Sequence, residues 1–244
     1  MGALIGDGKE AEIFEYGTLV LKRYRSGVAK RAAFREAAVL ALVESLGLPV
    51  PEVHGVQWIG ERWGVIMSRA GGPSFAETML ANRELLPVYL DEMARLQLGV
   101  HGHAALQFPG AKARLAADIA KAGRLGAAQR DALLRRLAEM PDGDRLCHGD
   151  FHPLNILGPP GQAVIVDWPN ASRGDPAADV CRSYVLIRSV APEIADAYVD
   201  AYAAVSGVDR GEIRCWLPLI AAARLAEGVP DEEADLLKMV SASL

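Results

Sequence analysis

The order of the hydrophobic periods constrains this chain more than any other feature. Before residue 70 the apolar residues come in short runs. Ile13-Phe14 and Leu19-Val20-Leu21 flank Tyr16-Gly17, and the runs 53–59 and 63–67 flank Gly60-Glu61. Short apolar runs closed by turn residues read as strands joined in hairpins. One helical stretch interrupts them over 29–45, where Ala32, Ala33, Ala37, Ala38, Leu40 and Leu42 favour helix. Gly47 ends it, and Pro49 and Pro51 prevent its return. Gly71-Gly72-Pro73 then breaks the pattern. Beyond it the chain reads as helical over 74–140, with Pro87 and Phe108-Pro109-Gly110 as interruptions, and again after Pro176. Between these stretches, apolar runs near 155–157 and 163–166 enclose Gly158-Pro159-Pro160-Gly161, a hairpin with a tight end. Strands first, then helices with an embedded hairpin, is an α+β order. A length of 244 residues allows one large domain or two packed lobes. The break at 71–73 divides it into 1–70 and 71–244.

Composition removes several function classes. A net charge of −5 argues against a general nucleic-acid binder, which would carry a basic patch. No uninterrupted apolar run reaches the roughly 18 residues of a membrane span. Asp7, Lys9, Glu10 and Glu12 stand where a signal peptide would have its apolar core. Cys147, Cys181 and Cys215 are odd in number and lack the spacing of a disulfide framework or a zinc site. A reduced, cytoplasmic chain without nucleic-acid or membrane partners is expected. Nothing in the sequence fixes its oligomeric state.

The densest chemistry lies in residues 147–157, Cys-His-Gly-Asp-Phe-His-Pro-Leu-Asn-Ile-Leu, followed by Val164-Ile165-Val166-Asp167-Trp168. Asp150 precedes Asn155 by five residues in a loop. Asp167 ends an apolar strand that pairs back to the one Asn155 opens, so the hairpin brings Asn155 and Asp167 to one end. An amide oxygen and a carboxylate are hard ligands that suit Mg2+ shared with nucleotide phosphates. A further carboxylate nearby can accept the proton of an attacking hydroxyl. Phosphoryl transfer asks for little more, because positioning and charge neutralisation supply most of the rate. Ordinary turn residues are the bland alternative, since Asp and Asn favour loops.

His148-Gly149-Asp150, Asn155 and Asp167 in this order resemble the core of the aminoglycoside phosphotransferase family, which choline kinases share. Arg173-Gly174-Asp175-Pro176-Ala177-Ala178-Asp179 is similar to the Gly-Asp-Pro segment of that family. The resemblance implies a protein-kinase-like fold of two lobes. Residues 1–70 would form a small antiparallel sheet with one helix, and 71–244 a larger helical lobe carrying the catalytic hairpin. It implies Asp150 as base and Asn155 and Asp167 as Mg2+ ligands, while His148, Asp175 and Asp179 read as braces or helix caps. His152 has no assigned role. Trp168-Pro169 departs from the Phe-Gly of protein kinases, which favours a constitutively assembled site.

The nucleotide end is less distinctive. Gly6 and Gly8 belong to a Gly-x-Gly-x-x-Ala-x-Ile run whose backbone can approach phosphates, as can any β-turn. Ala11 replaces the third glycine of kinase loops, and Asp7 at the tip would repel phosphate unless it faces solvent. Lys22 ends the strand 19–22, and Glu36 follows on the helix fourteen residues later. In kinase-like folds such a lysine meets the α- and β-phosphates and is held by such a glutamate. The resemblance also places an adenine-binding hinge at 67–70, with the backbone of Ser68 and Ala70 facing the base. The nucleotide would be ATP, with GTP as the alternative.

The acceptor is expected to be a hydroxyl of a small molecule. Between Val190 and Leu237 stand ten acidic residues against three basic ones. This surplus raises a cationic acceptor as one hypothesis and a solvated helix face as the plainer one. An atypical protein kinase and a nucleotide-binding pseudokinase acting through a partner are the competing readings.

Overall fold

A computed structural model describes residues 1–241. In chain order these form β1 (Leu4–Asp7), β2 (Ala11–Tyr16), β3 (Leu19–Tyr24), α1 (Lys30–Ser45), β4 (Val53–Ile59), β5 (Arg62–Ser68) and α2 (Phe75–Ala81). Next come α3 (Leu86–His101), α4 (Ala111–Lys121), α5 (Ala127–Glu139), β6 (Arg145–Cys147), β7 (Ile156–Leu157), β8 (Val164–Ile165) and β9 (Ser172–Gly174). The chain closes with α6 (Pro176–Arg188), α7 (Pro192–Ser206), α8 (Arg210–Cys215), α9 (Leu217–Leu225) and α10 (Glu233–Ser241). This is the α+β order expected, a small antiparallel sheet with one helix followed by a mostly helical remainder with an embedded hairpin. Among the described residues no helix is long and apolar enough to cross a membrane. The three cysteines are free thiols.

The chain folds as two compact units. The first joins Met1–Ala81 to Leu154–Pro169, and the second joins 82–153 to the residues from 170 onward. In the first, the strands form one antiparallel sheet in the order β1-β2-β3-β5-β4. Alternation along β3 gives it two different faces. Leu21 lies opposite Phe14 and Ile66, and these three form a buried cluster against which Tyr16, Leu19 and Ile59 pack. Lys22, one residue on, lies opposite Ile13 and Val65 on the other face. Helix α1 packs on β4 and β5 and buries Ala33, Glu36, Leu40 and Val43. It ends where expected, with Gly47 in the left-handed region at φ 75°.

The β7–β8 hairpin belongs to this same unit. Ile165 N–H donates to Pro49 O at 2.7 Å, Gly158 N–H donates to Pro73 O at 3.0 Å, and Ser74 bridges to Leu157. Gly72 adopts φ +86°, and a Cβ there would come 3.0 Å from Gly158 Cα. The Gly71-Gly72-Pro73 stretch is therefore packed against the hairpin turn, and close backbone approach explains its glycine.

In the second unit α7 packs on both α3 and α6. Pro87 stands in the first turn of α3, where a missing N–H costs nothing, so it starts this helix. Replacing the fully buried Leu21 by Ala should lower stability by about 2–5 kcal/mol, measured by urea unfolding.

Candidate active site

Lys22 is the charged centre of the first unit. Its Nζ lies 2.6 Å from Glu36 Oε1 and 2.7 Å from Asp167 Oδ1. Strand alternation aims the lysine at the helix side, and Glu36 meets it from the buried face of α1. The hydroxyl of Tyr24, two residues along the same strand face, donates to Glu36 Oε2. Burial pulls the Lys22 ammonium down, but the Glu36 and Asp167 carboxylates outweigh it and hold the group above its ordinary value. Burial and the Glu36 charge push the Tyr24 hydroxyl up, so it stays a donor.

The hairpin supplies Asn155 and Asp167. Val166 N–H donates to Asn155 O at 2.9 Å, which ties Asn155 to the residue before Asp167. Asn155 is buried and Asp167 is partly exposed. Asp167 adopts φ 65°, a left-handed conformation in which Asp and Asn are enriched. The next residue fixes it. Trp168 is fully buried, and its indole N–H donates to Ile165 O at 2.9 Å.

The glycine turn joins β1 to β2. Gly8 N–H donates to Ala11 O at 2.9 Å. A Cβ on Gly6 or Gly8 would come 3.2 Å from Ile13 Cγ1 or Ala11 O respectively. Arg25 tethers this turn, donating from Nε to Gly8 O at 3.1 Å and pairing with Asp7. The Asp7 charge at the tip is thereby matched by a guanidinium. Ser68 closes β5, and its N–H donates to Glu52 O at 2.8 Å while its hydroxyl accepts from Glu52 N–H at 2.8 Å. The Ser68 amide is thus committed within the unit. Ala70 follows the strand in an irregular segment.

The second unit holds the 148–152 loop. Asp179, buried in the first turn of α6, accepts from the backbone N–H of His148 at 3.0 Å and of Gly149 at 2.7 Å. It also accepts from Gln97 Nε2 at 2.9 Å, and His101 Nε2 lies 3.1 Å away. Burial works to raise this carboxyl, but the His101 and Gln97 contacts outweigh it and hold it at about 2. Asp175 caps the same helix, accepting from Ala177 N–H at 2.7 Å. His148 is fully buried, and its Nδ1 accepts from Asp150 N–H at 3.2 Å. Gly149 adopts φ +80°, and a Cβ there would come 2.6 Å from Asn170 O. Only glycine fits this position.

Asp150 sits between a histidine and an arginine. His152 Nε2 lies 3.7 Å from one of its oxygens and Arg182 NH2 3.8 Å from the other. Burial works to raise its carboxyl, but the hydrogen bond from His152 and the charges of His152 and Arg182 bring it down to about 2. Gln97, His101 and Arg182 were not anticipated. Arg182 stands three residues after Asp179, on the same face of α6, and that spacing was the available signal. Gln97 and His101 lie four apart on α3, with nothing to separate them from other polar helix positions.

The first unit thus holds a strand lysine paired with a helix glutamate and a hairpin presenting an amide and a carboxylate, and the second holds an aspartate loop braced by a buried carboxylate. The chain belongs to the phosphotransferase enzyme family, which matches residues 4–216. Its fold is similar to that of a thermostable mutant of the aminoglycoside phosphotransferase APH(4)-Ia, at TM-score 0.74 and 18% identity over 99% of this chain and 92% of that one. It is also similar to a choline/ethanolamine kinase family protein from Mesorhizobium loti, at TM-score 0.65 and 18% identity over 99% and 84%. A third similar structure is APH(3'')-Id from Streptomyces rimosus in complex with ADP and streptomycin, at TM-score 0.63 and 19% identity over 87% and 90%. No curated protein matches the chain.

Two outcomes follow for the brace. Asp179→Ala should lower stability by about 3–5 kcal/mol in urea unfolding, because buried donors lose their shared acceptor. The Asp179 carboxyl lies near 2 when folded against an ordinary 3.8, so its contribution is complete above pH 4 and drains away as pH falls toward 2. An acid titration followed by circular dichroism should show the Asp179→Asn variant losing less stability than the parent over that interval.

Proposed function

We propose that this chain transfers the γ-phosphate of ATP to a hydroxyl of a small molecule in an Mg2+-dependent reaction. The observation that carries the reading is the simultaneous hold of Lys22 by Glu36 and Asp167 at 2.6 and 2.7 Å. A lysine so held presents a fixed charge to the α- and β-phosphates. The Gly6–Gly8 turn would cover the phosphates, with Arg25 screening Asp7. The base would lie along the 67–70 segment, where the Ser68 amide is already engaged and recognition falls to its neighbours, Ala70 among them. Residues 1–70 act in this reading as the nucleotide-binding lobe and 71–244 as the catalytic and substrate-binding lobe.

Asn155 and Asp167 fit a magnesium ion by donor type, since both offer oxygen and both stand at one end of the hairpin. Bound between them, the ion would supply charge neutralisation for the phosphate oxygens. Asp150 would orient the acceptor hydroxyl and take its proton as the oxygen–phosphorus bond forms. His148 and Asp179 act through the loop they brace, and Asp175 through the start of the helix that carries Asp179. GTP would meet the same phosphate-binding groups.

The relatives support a nucleotide donor and a hydroxylated acceptor, since one is described with ADP and hygromycin B and another with ADP and streptomycin. A cationic acceptor draws little support from the acidic 190–237 stretch. Asp196 pairs with Arg214, Asp200 with Arg210, Glu232 with Arg224, Glu233 with Arg124 and Asp235 with Arg188. At least half of the ten acidic residues are therefore paired, Glu233 and Asp235 with arginines from outside the stretch. A coupled ATP-consumption screen of hydroxylated metabolites and antibiotics, cationic and neutral, would find the acceptor.

With that acceptor, Asp150→Asn should lower turnover by about 10²–10⁴-fold while leaving the affinity for Mg·ATP within about twofold. Asp167→Asn should weaken nucleotide binding specifically when Mg2+ is present, measured by calorimetry with and without the metal. Near-normal turnover in Asp150→Asn would remove Asp150 from the role of base.

A further inference from the structure

Helix α1 is apolar on two sides. It packs inward through Ala33, Leu40 and Val43. A second stripe, Phe34, Ala38, Ala41 and Leu42, follows helical spacing and is exposed along its whole length. A surface helix ordinarily carries one such stripe, with polar residues opposite. Toward the start of the helix the outer stripe meets two indoles. Trp58 and Trp63 lie opposite each other on β4 and β5. Phe34 stands edge-on to Trp63 with ring centres 5.6 Å apart, and Trp63 stands edge-on to Trp58 at 5.2 Å. Phe34 is 47% exposed and Trp58 57%, whereas Trp168 and Trp216 are buried at 1% and 2%. Contiguous exposed apolar surface marks an interaction site, and tryptophan is enriched among the residues that dominate binding.

Charge selects the occupant. Lys30, Arg31 and Arg35 are all exposed at the same end of the helix. The Lys30 ammonium rests over the rings of Phe34 and Trp63, 5.2 and 4.8 Å from their centres. Among the described residues none of these cations pairs with a carboxylate, and α1 has no acid in its first turn. Glu36 is turned inward to Lys22, and Glu61, exposed at the β4–β5 turn, pairs with none of them. In a chain of net charge −5 this is a local reversal of sign. A second copy docking through the same face would set these cations against their own counterparts. Clusters that read anionic bilayers are denser, about four to eight basic residues.

We propose that the outer face of α1, together with Trp58 and Trp63, is a docking surface for an acidic amphipathic helix of a partner protein. The apolar side of that helix lies along Phe34, Ala38 and Leu42, where the small Ala38 and Ala41 let it come close. A large side chain packs on Trp58, and carboxylates meet Arg31 and Arg35.

A library of random peptides displayed on phage tests this, panned on the full chain and counter-selected on the Trp58→Ser/Arg31→Glu/Arg35→Glu variant. Enriched peptides should be acidic, with apolar residues at helical spacing. Calorimetry with one such synthetic peptide should show affinity falling about tenfold in Trp58→Ser and again in Arg31→Glu/Arg35→Glu. Raising NaCl from about 0.1 to 0.5 M should weaken it about tenfold as well, because exposed charges are screened. Enriched peptides that are neutral or basic, or that bind the variants as tightly as the parent, overturn the proposal, as does a library that yields none. Two further arms address the other occupants. Sedimentation should show no dimer that Trp58→Ser dissolves, and phosphatidylserine vesicles should retain no more parent than Arg31→Glu/Arg35→Glu. A dimer lost in Trp58→Ser gives the face to a second copy, and vesicle binding lost in the arginine variant gives it to a membrane; either result overturns the proposal. If Trp58→Ser does not fold, the arginine variant decides each arm alone.

Discussion

A buried carboxylate organises the second unit. An ionised Asp179 in an apolar interior costs several kcal/mol unless donors surround it. Its donors come from distinct parts of the chain, Gln97 and His101 from α3 and two consecutive amides from the 148–149 loop. Behind them, Tyr198 donates to Gln97 Oε1, and the Tyr202 hydroxyl lies 2.7 Å from His101 Nδ1, both from α7. Three helices therefore converge on one charge. The loop that carries Asp150 is held by that charge more than by its own turn chemistry. Gly149 is the local counterpart, because drawing both amides onto one carboxylate demands a backbone conformation that a side chain would obstruct.

The first unit solves a similar problem with the opposite sign. Lys22 is a mostly buried cation, and Glu36 and Asp167 supply the charge it needs. Glu36 comes from a helix packed on the sheet, so its geometry follows from core packing. Asp167 comes from a short hairpin whose place is set by hydrogen bonds to the carbonyls of Pro49 and Pro73. Trp168 completes the hold by burying its ring while spending its N–H on Ile165. A site built from such short strands is fixed by its anchors, because two-residue strands have little pairing of their own.

The motifs were legible because their residue types are tied to local geometry. The strand that carries Lys22, which runs on to Tyr24, the hairpin signalled by Gly158-Pro159-Pro160-Gly161 and the helix closed at Gly47 each declare themselves over a few neighbours. Gln97, His101 and Arg182 do not. Each sits at or near a helix whose polar positions look alike until a partner far along the chain is known. The acidic stretch toward the C-terminus shows the same limit. Counted along the sequence it is a charge surplus, while in space Arg124, Arg182 and Arg188 reach it from outside. Gly71-Gly72-Pro73 reads as a break on local chemistry, and only the hairpin turn packed against Gly72 shows that close approach was the requirement. β6 and β9, three residues each, are too short to stand out from loop.

On the proposed reading, the lowered pKa of the Asp150 carboxyl says what kind of base it can be. A group held near 2 is fully ionised at neutral pH yet has little appetite for a proton. Water ionises only at about 15.7, and an alcohol is about as weak an acid. A gap of roughly fourteen units forbids deprotonation ahead of bond formation. On the proposed reading the proton moves late, once the attacking oxygen has begun to bond to phosphorus and its own acidity has risen. Until then Asp150 contributes direction, accepting a hydrogen bond that aims the oxygen along the line of attack. Direction is what a rigid surround supplies. Asp179 and Gly149 fix the backbone of the loop, His148 accepts the Asp150 amide, and His152 and Arg182 flank the carboxylate. The same neighbours that would weaken Asp150 as a base hold it in place, which suits a reaction whose rate comes mainly from positioning.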